Sequence, residues 1–217
     1  MKPFVLINFK MYDEASGKKG VALAKKIASV RSHRYEIAVA AEMLILNDVA
    51  RLPLAVYAQH VDPIEFGAHT GQIVPAEVKR MGCVGTLLNH SERKISVKAI
   101  ERTVFLCKQK KLKVVVCAST LSEVQRVAHF KPDYIAYEPA ALIGGDISVT
   151  SAKSEIIQKA VLMVRKISSS TRVLCGAGVH NKEDLKAALT LGACGVLLSH
   201  AIVKAQNPKR FLEEMLS

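Results

Sequence analysis

Eight short apolar runs recur along the chain at fairly even spacing, and this repetition constrains the fold more than any other feature. They fall at 4–10, 35–41, 54–60, 84–90, 113–119, 134–139, 173–178 and 195–200. Most are near-continuously hydrophobic, as strands are when both of their faces are buried. Between them lie helical patterns, clearest at 17–31, 93–110, 151–168 and 181–191, with apolar residues three or four apart, such as Val161, Val164 and Ile167. Asn181 ahead of Lys182-Glu183-Asp184 reads as a helix N-cap followed by an acidic first turn. Strands alternating with about eight helices imply a parallel α/β sheet with crossover helices. Two architectures satisfy that pattern, a doubly wound open sheet and a closed (β/α)8 barrel. Eight repeats without a GxGxxG turn favour the barrel. No linker is visible, so residues 1–217 read as one domain. A chain of 217 residues is short for such a barrel, and some helices, especially the second and third, must be brief.

The bulk properties narrow the function classes. No apolar run is long enough to span a bilayer. The N-terminal MKPFVLINFK lacks the apolar length and cleavage site of a signal peptide, which points to the cytoplasm. Five cysteines, at 83, 107, 117, 175 and 194, form no CxxC pair. Reduced, mostly buried thiols are expected, with no zinc site or disulfide framework. The net charge of +12 raises the question of nucleic acid. The lysines are spread along the chain, however. The densest run, Lys108 to Lys113, has no aromatic interleaved and falls where a helix ends, a position that suits cations. Solvated helix surface accounts for most of this charge, with a minor share left to steer an anionic substrate. No nucleic acid or membrane partner is expected.

In a parallel barrel the active site lies at the C-terminal ends of the strands. Here the strand tails turn polar or glycine-rich. Asn8 and Lys10, two apart on the first run, point the same way. His90 opens a polar cluster after Leu88, and Glu138 closes the sixth run ahead of Pro139. A carboxylate kept from water there has the raised pKa of a general base. A strand-end lysine also admits another chemistry, a Schiff-base aldolase, which borohydride trapping would expose at Lys10. A barrel that binds a phosphorylated ligand or nucleic acid without catalysis is a further alternative. The segment PAALIGGDISVT after Glu138 exceeds an ordinary βα connection and, with Gly144-Gly145, can act as a lid. Gly176-Ala177-Gly178 lets backbone N–H groups approach a ligand such as a phosphate.

The motifs NFK at 8–10, NHSERK at 89–94, AYEP at 136–139 and CGAGV at 175–179 resemble those of triosephosphate isomerases, in order and over essentially the whole chain. AQHVDP at 58–63, HTG at 69–71, the short length and GVLL near 195 resemble the compact archaeal branch. The resemblance implies interconversion of dihydroxyacetone phosphate and glyceraldehyde 3-phosphate without cofactor or metal. Glu138 would be the base that moves the proton and His90 the neutral electrophile, a pairing for which this family is itself the standard example. Lys10 would bind substrate and stabilise the enediolate, with Asn8 beside it. Ser91 would partner the base when the lid is open, Glu92 would lie near Lys10, Arg93 would form a structural ion pair, and Cys117 would lie close to the base. The phosphate would be gripped by backbone N–H groups at Ile143 and Gly144 in the lid, at Gly178, and at Ser199 and His200. The resemblance further implies a homodimer or homotetramer through the 61–74 loop, which reads as too polar and extended to be core, with Thr70 near its tip.

The chain departs from that pattern in two places. Ser199-His200, followed by Ala201 rather than Gly, stands where most family members carry two glycines or, in archaeal members, Ala-Ser. An imidazole there either crowds the phosphate or, protonated, strengthens its binding. In the lid, Gly145-Asp146 replaces Thr-Gly. A carboxylate near a dianion is unfavourable, so Asp146 is expected to face solvent or a basic residue.

Overall fold

The computed structural model describes residues 2–139, 148 and 155–217. Its strands are β1 (Phe4–Asn8), β2 (Glu36–Ala41), β3 (Ala55–Ala58), β4 (Gly85–Leu88), β5 (Lys113–Ala118), β6 (Tyr134–Tyr137), β7 (Arg172–Cys175) and β8 (Gly195–Leu198). Each pairs in parallel with the next, and β1 pairs with β8, so the sheet closes into a barrel. The helices are α1 (Gly17–Ala28), α2 (Leu46–Val49), α3 (Pro75–Arg80), α4 (Val97–Gln109), α5 (Leu121–Ala128), α6 (Glu155–Ile167), α7 (Lys182–Thr190), α8 (His200–Val203) and α9 (Pro208–Leu216). Among the described residues, no helix is long and apolar enough to cross a membrane.

The near-continuous apolar runs follow from this closure. Alternate residues of one strand serve two different cores. Leu6, Ala38, Tyr57, Leu87, Val115 and Leu174 fill the barrel lumen. Their neighbours Val5, Ile7, Val39, Leu88, Val114 and Val116 pack outward against the helices. Gly85 makes the lumen possible at its widest side chain, since a Cβ there would lie 2.2 Å from the Tyr57 ring.

The second and third helices are brief, at four and six residues. Asn181 caps α7 as expected, its side chain accepting from the Asp184 N–H at 2.9 Å. Several boundaries differ from the sequence reading. Helix α4 starts at Val97 rather than 93, because Ser96 caps it by accepting from the Ala99 N–H. Helix α1 stops at Ala28, short of 31. Most strands are shorter by one to three residues, because the polar tails leave the sheet. The 61–74 loop is not wholly outside the core: Val61 is fully buried. Its base is clamped by the Asp62 N–H donating to Ile73 O at 2.8 Å and the Ile73 N–H donating to Asp62 Oδ2 at 2.7 Å. Residues 65–72, including Thr70, are exposed.

Candidate active site

At the C-terminal end of the barrel, a cavity of about 360 Å³ is lined by the tails of β1, β4, β6, β7 and β8. Asn8, Lys10, His90, Ser91, Glu138, Gly178, Ser199 and His200 all reach it. Ile143, Gly144, Gly145 and Asp146 lie outside the described residues, as do residues 151–154 of the expected third clear helix.

The placement of Lys10 corrects the sequence reading. Alternation does not carry from Asn8 to Lys10, because β1 ends at Asn8 and Lys10 takes a left-handed backbone, φ +49°. A side chain with a Cβ adopts that region only when its surroundings hold it there. The Lys10 N–H donates to Asn8 Oδ1 at 3.0 Å, and Gln59 Nε2 donates to Lys10 O at 2.9 Å. The ammonium is then fixed by Glu92 Oε1 at 2.7 Å.

A second left-handed residue, Asn89, φ +59°, presents His90. Its side chain donates to Cys117 O at 2.9 Å and to Glu123 Oε1 at 2.7 Å, and accepts from the Ile95 N–H at 3.1 Å. The Glu92 N–H donates to His90 Nδ1 at 3.2 Å. An imidazole that accepts at Nδ1 carries its proton on Nε2, so this bond sets the neutral tautomer. The Glu92 carboxylate lies 3.5 Å from Nδ1 and favours the charged ring, in opposition to that bond. Burial decides the balance: it is the largest influence on His90 and holds its pKa below the usual value, with the cations Lys10 and Lys94 adding to it. The Nε2 atom faces Glu138 Oε1 at 3.7 Å.

Glu138 is buried at the end of β6, and burial pushes its carboxyl up to about 7. The Cys117 thiol, itself raised mainly by burial, hydrogen-bonds the carboxylate and with Lys10 partly offsets that rise. Gly176 has a role that sequence reasoning missed. A Cβ there would lie 2.5 Å from Glu138 Cγ, so this glycine makes room for the carboxylate. Gly178, φ +72°, supplies the turn that brings backbone to the cavity. Ser91 is exposed on the cavity wall. Arg93 Nη2 lies 3.9 Å from Asp62 Oδ1, the structural pairing expected of it.

Across the cavity from His90, Ser199 precedes α8. Its hydroxyl is buried without a hydrogen-bond partner among the described residues. His200 is exposed, with its ring edge-on to Tyr12 at 6.3 Å. Tyr12 also escaped the sequence reading, since nothing but its nearness to Lys10 marks it. The Ser148 hydroxyl donates to Asp184, whose carboxylate also accepts from the His180 N–H at 2.9 Å.

A raised carboxylate, a neutral imidazole aimed at it and a fixed ammonium around one cavity suit proton transfer beside a carbonyl. The family model for triosephosphate isomerase matches residues 3–215. A triosephosphate isomerase from Methanocaldococcus jannaschii is 40% identical over 214 residues, 98% of each chain. One from Methanosarcina acetivorans is 40% identical over 99% of this chain and 97% of its own. One from Archaeoglobus fulgidus is 42% identical over 98% of this chain and 96% of its own. With a family match along nearly its whole length and archaeal relatives at about this identity, the chain belongs to the triosephosphate isomerase family, in its archaeal form.

Proposed function

We propose that the chain interconverts dihydroxyacetone phosphate and glyceraldehyde 3-phosphate with Glu138 as the base, His90 as the electrophile and Lys10 as the fixed cation. The observation that carries this reading is the 3.7 Å approach of His90 Nε2 to a Glu138 carboxyl raised to about 7. A base with a pKa near the working pH is both available and strong enough to take a carbon-bound proton. Charge then develops on the substrate oxygen. In this reading the Nε2–H of neutral His90 and the Lys10 ammonium stabilise it. Glu138 returns the proton to the adjacent carbon. Ion pairing of Lys10 with Glu92 argues against a Schiff base, which needs a neutral amine. We assign the phosphate to the backbone N–H groups of Gly178, Ser199 and His200, with Ile143 and Gly144 opposite, and take 1–217 as one cytoplasmic domain.

The same reading includes self-association through the 61–74 loop. Its support is a 630 Å³ cavity beside the site, rimmed by Met11, 68% exposed, and Leu44, 88% exposed. Apolar side chains so open to water favour a covering partner. Light scattering on the purified protein tests it, and a monomer at all concentrations would remove it.

The decisive experiment on the reaction is isomerisation of glyceraldehyde 3-phosphate, coupled to reduction of the product, beside a Glu138→Ala control. Turnover abolished by the substitution is the expected result. Turnover that survives it would remove Glu138 as the base.

A further inference from the structure

The fold gathers cations that the sequence keeps apart. Helices α3, α4 and α5 all end at the face where strands begin, opposite the active site, and β4, β5 and β6 are neighbours. Lys79 and Arg80 close α3. Lys108, Lys110, Lys111 and Lys113 carry the chain from α4 into β5, and Lys131 precedes β6. All seven are exposed. The loops are tied together: Lys79 Nζ donates to Lys111 O, and Lys108 Nζ to Phe130 O, each at 3.1 Å. Among the described residues, Arg80 alone of the seven has an acid within ion-pair distance, Glu77 at 3.5 Å. Asp133, between Lys131 and β6, is turned to accept from the Val114 N–H at 2.9 Å.

Helix ends attract cations, so lysines alone would prove little. The backbone adds a second observation. Lys111, φ +53°, and Lys131, φ +54°, are left-handed. After α3 and α7 the same conformation falls to Gly82 and Gly192, the residue that adopts it without strain. Among the described residues, the other non-glycine residues with positive φ are Lys10 and Asn89, both at the active site. A left-handed lysine where glycine would serve motivates a functional reading of its side chain. Of the large exposed apolar residues, Met11, Leu44, Val97, Phe105 and Leu162 lie outside these loops, and Phe66 sits beneath the Arg80 guanidinium at 4.4 Å.

Against the sequence expectation of no nucleic acid partner, we infer that this face is a binding surface for the phosphate backbone of double-stranded nucleic acid, read by charge and without regard to sequence. The exposed aromatic beside this face, Phe66, has the Arg80 guanidinium over its ring at 4.4 Å rather than an open face for a base, which disfavours a single strand. Phosphates in regular array are what a rigid set of lysines can neutralise together.

The test is fluorescence anisotropy of a labelled DNA duplex of about 20 base pairs over a range of salt. Wild-type protein is expected to bind, with affinity falling steeply as salt rises. Lys111→Gly with Lys131→Gly removes two charges and relieves two strained residues. Its affinity should drop, and its log–log salt slope should shrink by about 2. Its melting temperature should hold or rise, and isomerase turnover should be unchanged because the site lies at the other end of the barrel. Lys110→Gln with Lys113→Gln should weaken binding equally, without touching a left-handed residue. Failure of the wild type to bind at low salt, or equal affinity in either variant, would overturn the proposal. Tighter binding to phosphatidylserine vesicles or polyglutamate than to the duplex would also overturn it.

Discussion

Glu138 combines two demands that oppose each other: it must be ionised to take a proton and buried enough to want one. The raised carboxyl makes kcat/KM fall as pH drops below about 7, where the base becomes protonated. Cys117 hydrogen-bonds the ionised form, so Cys117→Ala should move that acid limb to higher pH in a pH–rate profile. Gly176→Ala should push the carboxylate out of line and lower kcat by roughly 100-fold with the circular dichroism spectrum unchanged. Wild-type turnover in that variant would show that the β7 tail yields. His200 lines the cavity with its ring exposed. His200→Ser should raise KM by about two- to fivefold, as suits an exposed polar contact. Identical KM values for the two proteins would discount the ring.

At the scale of elements, the strands were legible because burial on both faces writes a continuous apolar run, and their polar tails gave away the catalytic end. Glu138 and His90 stood out for that reason. What the sequence does not show is how the tails leave the sheet. The left-handed turn at Lys10 depends on Gln59, 49 residues away, and that at Asn89 on Cys117 and Glu123, 28 and 34 residues away. No local pattern encodes such bonds. Gly176 misled for a related reason, since its neighbour Glu138 comes from another strand. Glu123 is the hub of the β4 tail. It accepts from Lys94 at 2.9 and 3.0 Å, from Asn89 at 2.7 Å and from the Ser119 N–H at 2.8 Å. Burial pushes its carboxyl up, but these bonds outweigh it and hold the pKa low. Glu123→Gln should cost about 1–3 kcal/mol in urea unfolding and slow catalysis by misplacing His90. Loss of stability with full catalysis would mean that Asn89 keeps its conformation unaided.

For the molecule as a whole, the site is held against its own stability. Glu138 binds its proton more tightly folded, at about 7, than unfolded, near 4.5. The native state therefore holds the extra proton between these values, and stability falls as pH rises through that window. Above it, the cost of an ionised Glu138 reaches about 3 kcal/mol. Glu138→Gln should recover most of this at pH 8 and nothing at pH 4, as read by chemical denaturation at each pH. Equal gains at both would mean that the carboxyl is not raised.

Closure of β1 against β8 also has a consequence for how the protein is made. The ribosome delivers the N-terminal strand first, yet the partner that seals its outer edge begins at Gly195. At roughly 5–20 residues per second, that edge waits on the order of ten to forty seconds for its neighbour. Throughout that interval a nascent chain offers the unpaired edge of a mostly apolar strand to any other it meets. Crowded polysomes translating this message are thus where misassembly is most to be expected, and where a chaperone that shields the first βα units would matter most.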